Sequence, residues 1–210
     1  MKKLLFTLGI TTFLVGCVSH QEENIQPASR NTEVVVVPPE NIVTQPDEFR
    51  EALQKFPEIP QIDKTEAGSY MDWLAKKLRK ELRSTGVQVK EVQGQIDLII
   101  PNKVAFGNNQ SKIKNDFHDP LSAIAKLLNE YDQTMIQIIA YTDEANSVLA
   151  NQEVSLQKAE AIAAFLKGQN VLAERIITDG AGADNPVANS ATAIGRELNR
   201  RIEITLISLQ

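Results

Sequence analysis

The second half of the chain carries two hydrophobic patterns in succession, one typical of a strand and one of a helix. Residues 136–141 form a short apolar, β-branched run between polar residues, which predicts a buried strand. The helix that follows has apolar residues three or four apart on one face: Leu156, Ala159, Ile162, Ala163 and Leu166. Asp143 comes just after the strand and Lys158 lies on the helix. The pattern therefore predicts a carboxylate and an ammonium group held close together, which would suit a zwitterionic amino-acid head group.

Upstream of these elements the pattern predicts a helix and a β-hairpin. Ser69 is expected to cap a helix that runs to Thr85, with an apolar face formed by Met71, Leu74, Leu78 and Leu82. Residues 87–92 and 95–100 alternate around Gly94, as the strands of a hairpin do. The helix has a basic outer face formed by Lys76, Lys77, Arg79, Lys80 and Arg83. This face fits either a solvated surface or a contact with phospholipid or glycan.

From residue 104 onward strands and helices alternate. Val104–Phe106 is predicted as a short strand, and Asp119-Pro120 as the cap and first residue of a helix. Arg175–Thr178 is predicted as a strand that ends at a glycine-rich turn, residues 180–182, and Arg201–Leu206 as a half-exposed edge strand. This order predicts a two-layer α/β sandwich with a mixed sheet, βαβαββ, over residues 102–210, with the helix and hairpin of residues 68–101 before it.

The N-terminal third reads as a targeting segment followed by a tether. Residues 1–16 have a basic start and an apolar run that is too short for an ordinary membrane-spanning helix, as in a signal peptide. Residues 17–67 are polar and rich in proline, and about fifty such residues have a root-mean-square span of roughly 35–42 Å. Two pieces of this tether, Val34–Val37 and the apolar stripe Phe49–Phe56, are expected either to contact a partner or to fold back onto their own domain.

Composition excludes several classes of function. The chain of 210 residues has a net charge of −5 and 5% aromatic residues, which makes it a poor nucleic-acid binder. Its single cysteine, Cys17, excludes an intrachain disulfide and a multi-cysteine metal site, and His20 and His118 are too isolated for a metal centre. Asp143 and Glu144 are adjacent in sequence, so a converging pair of glycosidase carboxylates is not expected. No catalytic triad, cofactor or metal is predicted, and the chain is interpreted as non-enzymatic.

The segment Leu14-Val15-Gly16-Cys17 resembles the lipobox of bacterial lipoproteins. The resemblance implies that Cys17 becomes the lipidated N-terminus of the mature protein, with fatty acyl chains such as palmitate; more than one chain makes the attachment stable. By the sorting rule of such lipoproteins, an Asp directly after the cysteine would retain the protein in the inner membrane. Val18 at this position therefore implies that the protein is located in the outer membrane. The alternative is a plain secretory signal in which Cys17 is incidental.

The second half of the chain resembles the OmpA-like C-terminal domain, a family that binds peptidoglycan non-covalently. The match covers about Val104 to Leu206 and keeps the order and approximate spacing of its motifs, among them Tyr141-Thr142-Asp143, Asn151, Ser155, Lys158-Ala159, Gly180-Ala181-Gly182, Asn185-Pro186, Gly195-Arg196 and Asn199-Arg200-Arg201-Ile202. Residues 69–101 and the lipobox also resemble the YiaD-like lipoprotein branch.

The resemblance implies a role for each site residue. Asp143, with Thr142 beside it, is expected to bind the ammonium of meso-diaminopimelate in the peptidoglycan stem peptide. Lys158 occupies the position of a family arginine that takes the carboxylate, and a lysine lacks the two-pronged grip of a guanidinium. Asn151 is expected to brace the loop or touch the stem peptide. Arg200 is expected near the pocket, while Arg201 should point to the opposite face of its strand.

Two functions follow from the resemblance. In the first, the protein is an outer-membrane lipoprotein whose periplasmic domain binds the diaminopimelate stem and tethers the membrane to the cell wall. In the second, it is an adaptor in a larger envelope assembly such as a secretion apparatus, reached through Val34–Phe56, with weak or no peptidoglycan binding.

Overall fold

The structure is a computed structural model that describes Glu51 and residues 60–107, 111–144 and 147–209. The predictions for the signal peptide, for Cys17, for Val34–Val37 and for all of Phe49–Phe56 except Glu51 fall outside these residues. Within them, every helix is too short or too polar to cross a membrane.

The described residues form five helices, five strands and two short 3-10 segments. The helices are α1 (Ala67–Glu81), α2 (Asn102–Ala105), α3 (His118–Glu130), α4 (Val148–Gly168) and α5 (Ala193–Asn199). The strands are β1 (Gln88–Val92), β2 (Gln95–Pro101), β3 (Thr134–Tyr141), β4 (Ile176–Gly182) and β5 (Arg201–Ser208). The 3-10 segments are Asn115–Phe117 and Ala173–Arg175.

The five strands form one mixed sheet in the order β1-β2-β5-β3-β4. The β1/β2, β2/β5 and β5/β3 pairs are antiparallel, and the β3/β4 pair, connected through α4, is parallel. The hairpin β1–β2 turns at Gln93 and Gly94, both at positive φ (52° and 82°), which lets the two strands pair directly. The predicted two-layer α/β sandwich with a mixed sheet is therefore confirmed, and the predicted hairpin is part of the same sheet.

One hydrophobic core joins the sheet to α1, α3 and α4. The strands contribute alternate apolar residues, among them Ile138 of β3 and Ile204 of β5, both fully buried. Helix α4 contributes the predicted apolar residues except Leu156, which is 37% exposed. Ser155 and Lys158 are buried in its place, so the inward face of α4 is partly polar where it approaches the site.

The prediction that residues 201–206 form a half-exposed edge strand is wrong. Strand β5 lies in the middle of the sheet, between β2 and β3. Its alternation separates apolar residues that face the helices from polar residues on the other face, and those polar residues are also buried. Arg201 and Glu203 form an ion pair at 2.6 Å, and Thr205 donates a hydrogen bond to Asp97 at 2.9 Å. Polar partners on the same sheet face take the place of water.

The glycine-rich segment 180–182 is also not the predicted turn, because β4 runs through it to Gly182. The glycines permit close packing of α4 on the strand. A Cβ on Gly180 would lie 2.4 Å from the backbone nitrogen of Leu156, closer than any side chain can approach. The strand also begins at Ile176 instead of Arg175, which belongs to a 3-10 turn.

Three local predictions differ from the structure at element ends. Residues 102–105 form a helical turn instead of a strand, since the Phe106 N–H bonds back to the Asn102 carbonyl. Helix α1 begins at Ala67, before Ser69, and ends at Glu81. Helix α3 begins at His118, so Asp119-Pro120 lies inside its first turn, where a proline removes no helical hydrogen bond.

The chain enters this fold at one end of the sheet, which we call the entry end. The Ile62 N–H donates to the Leu209 carbonyl at 2.7 Å, and the Leu209 N–H donates to the Gln133 carbonyl at 3.0 Å. The Gln133 side chain also donates to the Gln61 carbonyl at 2.8 Å. The described fold thus includes residues that the sequence analysis assigned to the tether. Because Gln133 precedes β3, the entry end lies opposite the end at which β3 delivers Asp143.

Candidate functional site

The candidate site lies at the end of the sheet where β3 finishes and β5 begins. The Thr142 N–H donates to the Gly182 carbonyl at 2.6 Å, which holds the strand end against β4. Asp143 follows and is 9% exposed. Arg200, which directly precedes β5, reaches this point from the neighbouring strand. The antiparallel pairing of β3 and β5 therefore brings a carboxylate and a guanidinium together at one edge.

Arg200 is the direct partner of Asp143. Its Nη1 donates to Asp143 Oδ2 at 2.7 Å, and its Nη2 donates to Glu197 Oε2, also at 2.7 Å. Lys103 Nζ lies 3.3 Å from the other oxygen of Glu197. The bond from Arg200 is the main reason that the pKa of Glu197 is lowered, and Glu197 in turn raises the pKa of Arg200. The site is thus a row of alternating charges in which Arg200 is the central cation.

Lys158 lies close to this row but is not bonded to it. The residue is 4% exposed, and it has no hydrogen bond or ion pair to any described residue. Burial lowers the pKa of Lys158, the positive charge of Arg200 lowers it further, and the Asp143 carboxylate opposes both effects. A buried ammonium group without a partner can accept an anionic ligand at little further desolvation cost.

The two remaining predicted residues line the strand and helix beside the row. Thr142 is 7% exposed, and its Oγ1 lacks a hydrogen-bond partner among the residues described. Asn151 is 2% exposed in the first turns of α4, next to Gly182. Ser155 fixes this part of α4 by accepting a hydrogen bond from the Gly182 N–H at 2.9 Å. The site residues on α4 are therefore anchored to β4.

The two arginines of the Asn-Arg-Arg segment have separate tasks. Arg201 is 2% exposed and pairs with Glu203, and its guanidinium carbon lies 3.8 Å from the centre of the Tyr141 ring. Asn199 holds the loop before α5: its Oδ1 accepts from the Val187 and Ala188 N–H groups, both at 2.9 Å. Only Arg200 joins the charged row at the site.

The structure brings Asp143, Lys158 and Arg200 together, as the sequence analysis expected, but it changes which pair is in contact. Sequence reasoning missed Glu197 and Lys103. The spacing of Glu197 three residues before Arg200 is a signal that could have indicated the pair, whereas nothing local points to Lys103. Among the described ranges, no group of three or more His, Cys, Asp or Glu side chains could hold a metal ion.

Comparison with known proteins adds a family and several relatives. Residues 105–200 match the model of the OmpA family. The chain is 40% identical over 142 residues to the probable lipoprotein YiaD of Escherichia coli strain K12, a match that covers 68% of this chain and 65% of that protein. It is 32% identical over 116 residues to the peptidoglycan-binding protein ArfA of Mycobacterium tuberculosis H37Rv, covering 55% of this chain and 36% of ArfA. The chain thus spans less than two thirds of either relative.

A solved structure shares the fold. The cell wall anchor of the T6SS from Pseudomonas aeruginosa superimposes with a TM-score of 0.58 at 25% sequence identity. The superposition covers 64% of this chain and 96% of that structure. The shared part is therefore nearly the whole of that solved chain.

Proposed function

We propose, from the match of residues 105–200 to the OmpA family model, that this chain is an outer-membrane lipoprotein that binds peptidoglycan non-covalently. Lipid at Cys17 holds one end of the chain in the membrane, and the domain in the periplasm binds the diaminopimelate residue of a stem peptide. The names of the relatives support this proposal, since one is a probable lipoprotein and another a peptidoglycan-binding protein.

The charged row at Asp143 is the observation that carries the proposal. Three cations, Lys103, Lys158 and Arg200, lie with two anions, Asp143 and Glu197, so the cluster has one positive charge in excess. The free end of diaminopimelate offers both an ammonium and a carboxylate. The ligand ammonium displaces Arg200 from Asp143 and binds the Asp143 carboxylate. The ligand carboxylate then binds Arg200 and Lys158. Asp143 and Arg200 each exchange one partner for another and Lys158 gains one, so no buried ion is left unpaired.

Arg200 supplies the paired hydrogen-bond donors that Lys158 lacks. A guanidinium can hold a carboxylate through two parallel hydrogen bonds, whereas an ammonium acts as a point charge. Glu197 still holds Nη2 when Asp143 is released, and it keeps the guanidinium at the mouth of the site. Substitution of the family arginine by Lys158 therefore leaves a two-pronged donor in the site. Glu144, exposed beside Asp143, adds a negative charge that disfavours stem peptides with a carboxylate on that side.

The position of the entry end suits a tether. Residues 61 and 62 join the fold beside Leu209, at the opposite end of β5 from Arg200. Strand β5 has eight residues, which span about 27 Å at 3.4 Å per residue. A chain anchored in the membrane can therefore extend from one end of the domain while the other end contacts the wall. Binding between two anchored bodies gains from effective concentration, so weak contacts suffice.

Co-sedimentation with purified sacculi tests the proposal. Asp143→Asn keeps the shape of the side chain and removes the charge that holds the ligand ammonium, so we expect at least a tenfold loss of binding. Asp116→Asn is the matched control, because Asp116 is exposed, has no ion pair among the described residues and undergoes the same change in charge. Equal sedimentation of the two variants would refute Asp143 as the site.

A second candidate function is favoured by the likeness to the cell wall anchor of the T6SS. In this function the protein is an adaptor of a larger envelope assembly, contacted through Val34–Phe56. Crosslinking followed by affinity purification distinguishes the two functions. A stoichiometric protein partner that is lost on deletion of residues 34–56, but kept in Asp143→Asn, supports the adaptor. Recovery of peptidoglycan fragments without such a partner contradicts it.

A further inference from the structure

Helix α1 has an exposed stripe that plays no part in the candidate site. The stripe consists of Trp73, Lys76, Lys80 and Arg83, spaced three or four residues apart from the helix into the turn after it. Trp73, the one tryptophan of the chain, is 60% exposed. Lys76 Nζ lies 5.1 Å from the centre of its ring. An amphipathic ring is therefore displayed on the surface among basic side chains.

The cations of this stripe differ from the other basic residues of the helix. Lys77 pairs with Glu130 and Arg79 pairs with Glu91, so those two charges are balanced by α3 and β1. Lys76, Lys80 and Arg83 have no ion pair to the residues that the structure describes. The fold thus neutralises the basic residues at the flank of α1 and leaves those of the stripe open to solvent.

Charge is concentrated here against the trend of the whole chain. Residues 67–83 contain five Lys or Arg against two acidic residues, Asp72 and Glu81, a balance of +3 in a chain of net charge −5. At physiological salt the field of distant acidic residues is screened within about 8 Å, so an approaching surface experiences the local charge. A shallow groove of about 540 Å³ continues the stripe, lined by Lys80, Glu81, Arg83, Ser84 and Thr85. Hydroxyl and cationic groups of this kind suit a phosphate head group.

We propose that the stripe Trp73-Lys76-Lys80-Arg83 docks α1 on the surface of an anionic phospholipid membrane. Tryptophan favours the boundary between head groups and acyl chains, and lysine and arginine beside it bind lipid phosphates while their aliphatic stems cover apolar surface. Either feature alone would be ordinary on a soluble surface, but together they match the chemistry of a membrane interface. The long axis of α1 lies along the membrane in this arrangement.

The single tryptophan provides a direct test. The full chain is combined with vesicles of phosphatidylcholine that contain phosphatidylglycerol, and with vesicles of phosphatidylcholine alone, some of each carrying brominated acyl chains. We expect the Trp73 emission to shift to the blue and to be quenched by bromine in the anionic vesicles only. Because the readout is the depth of Trp73, attachment of the chain to vesicles through its N-terminus does not produce the signal by itself.

Charge reversal identifies the residues responsible. The double variant Lys76→Glu/Lys80→Glu should weaken docking by at least about 25-fold, since each Lys near an anionic surface contributes about a fivefold factor and the reversal adds repulsion. Lys126→Glu with Lys167→Glu alters the total charge by the same amount at exposed positions on α3 and α4 and should leave the quenching unchanged. Both variants should retain the circular dichroism of the native fold.

Three outcomes would overturn the proposal. The first is equal Trp73 emission in anionic and neutral vesicles. The second is equal quenching in the two charge-reversal variants. The third is a Trp73 shift that sacculi produce and vesicles do not, which would assign the stripe to a glycan contact. None of these results depends on Asp143, so the cell-wall proposal and this one can fail separately.

Discussion

Replacement of Arg175 by methionine should strongly destabilise the fold. Arg175 is 1% exposed and has no carboxylate partner among the described residues. Its guanidinium donates to the carbonyls of Leu128 (2.8 Å), Tyr131 (3.0 Å) and Thr134 (2.7 Å), and to the Thr134 hydroxyl (2.8 Å). The Leu128 and Tyr131 carbonyls lie at the C-terminus of α3. Backbone oxygens there have no helical partner, and the helix dipole favours a cation. Burial lowers the pKa of Arg175 to about 10, so the group is charged at neutral pH.

The magnitude follows from the groups left behind. Each buried carbonyl that loses its donor costs about 1–3 kcal/mol. Two carbonyls, those of Leu128 and Thr134, lose the donor that Arg175 supplies, whereas the Tyr131 carbonyl still accepts from the Thr134 hydroxyl. Methionine keeps most of the aliphatic stem and removes the desolvation penalty of the charge, which offsets part of the loss. We therefore expect the lower end of the range for two carbonyls, about 2 kcal/mol, out of a total stability of about 5–15 kcal/mol for a domain.

Urea denaturation followed by circular dichroism measures this loss as a lower midpoint with an unchanged slope. Lys126→Met, an exposed position on α3, is the matched control and should change the free energy of unfolding by less than about 0.5 kcal/mol. A loss below about 1 kcal/mol for Arg175→Met would refute the reasoning, since the carbonyls would then have found other donors. Sacculus binding below the unfolding transition should persist, because Arg175 lies towards the entry end.

Three further changes have defined outcomes. Gly180→Ala should cost about 1–3 kcal/mol in thermal or urea unfolding because its Cβ would overlap the α4 backbone, whereas Gly168→Ala, with nothing within 4 Å, should not destabilise. Burial raises the pKa of Asp97 despite the hydrogen bond from Thr205. The protonated form therefore stabilises the fold below about pH 4, and this contribution is lost as the pH rises through the folded pKa. Urea titrations should accordingly show that Asp97→Asn stabilises the fold at pH 7 and has little effect below about pH 4. Lys158→Met should raise the free energy of unfolding by about 1–2 kcal/mol in the same assay, because it removes a buried charged amine whose pKa is lowered by burial. It should also weaken sacculus binding. A variant that is less stable and binds normally would contradict the role assigned to Lys158.

Elements with strong local signals were predictable from the sequence. The hairpin around Gly94, the strand that ends at Tyr141 and the α4 helix all occur close to their expected places. Hydrophobic periodicity indicates each of them without tertiary information. The alternation of these strands and helices along the chain was enough to predict the two-layer sandwich.

The position of β5 could not be obtained from its own pattern. Alternation of apolar and polar residues indicates a strand with one wet face only if the polar face meets water. In β5 that face is buried, because Arg201 pairs with Glu203 and Thr205 pairs with Asp97 on β2. Asp97 lies more than a hundred residues earlier in the chain, so no local window contains this information.

The same limit applies to the site. The sequence predicts Asp143, Lys158 and Arg200 as charged residues of the site, but it does not indicate which cation contacts the aspartate. That choice depends on the register of β5 against β3 and on Glu197, which draws the guanidinium to the strand end. Lys158, buried on α4, lies near Asp143 but forms no ion pair with it.

The opposed ends of β5 have a mechanical consequence. In the proposed function, a pull between residue 62, hydrogen-bonded to Leu209, and a ligand bound at Arg200 runs along the strand axis. Both neighbours of β5 are antiparallel, and their hydrogen bonds stand perpendicular to that axis. The load therefore shears many bonds at once instead of unzipping them singly. A domain strung between two moving bodies in this way resists rupture best in the direction in which it is stretched.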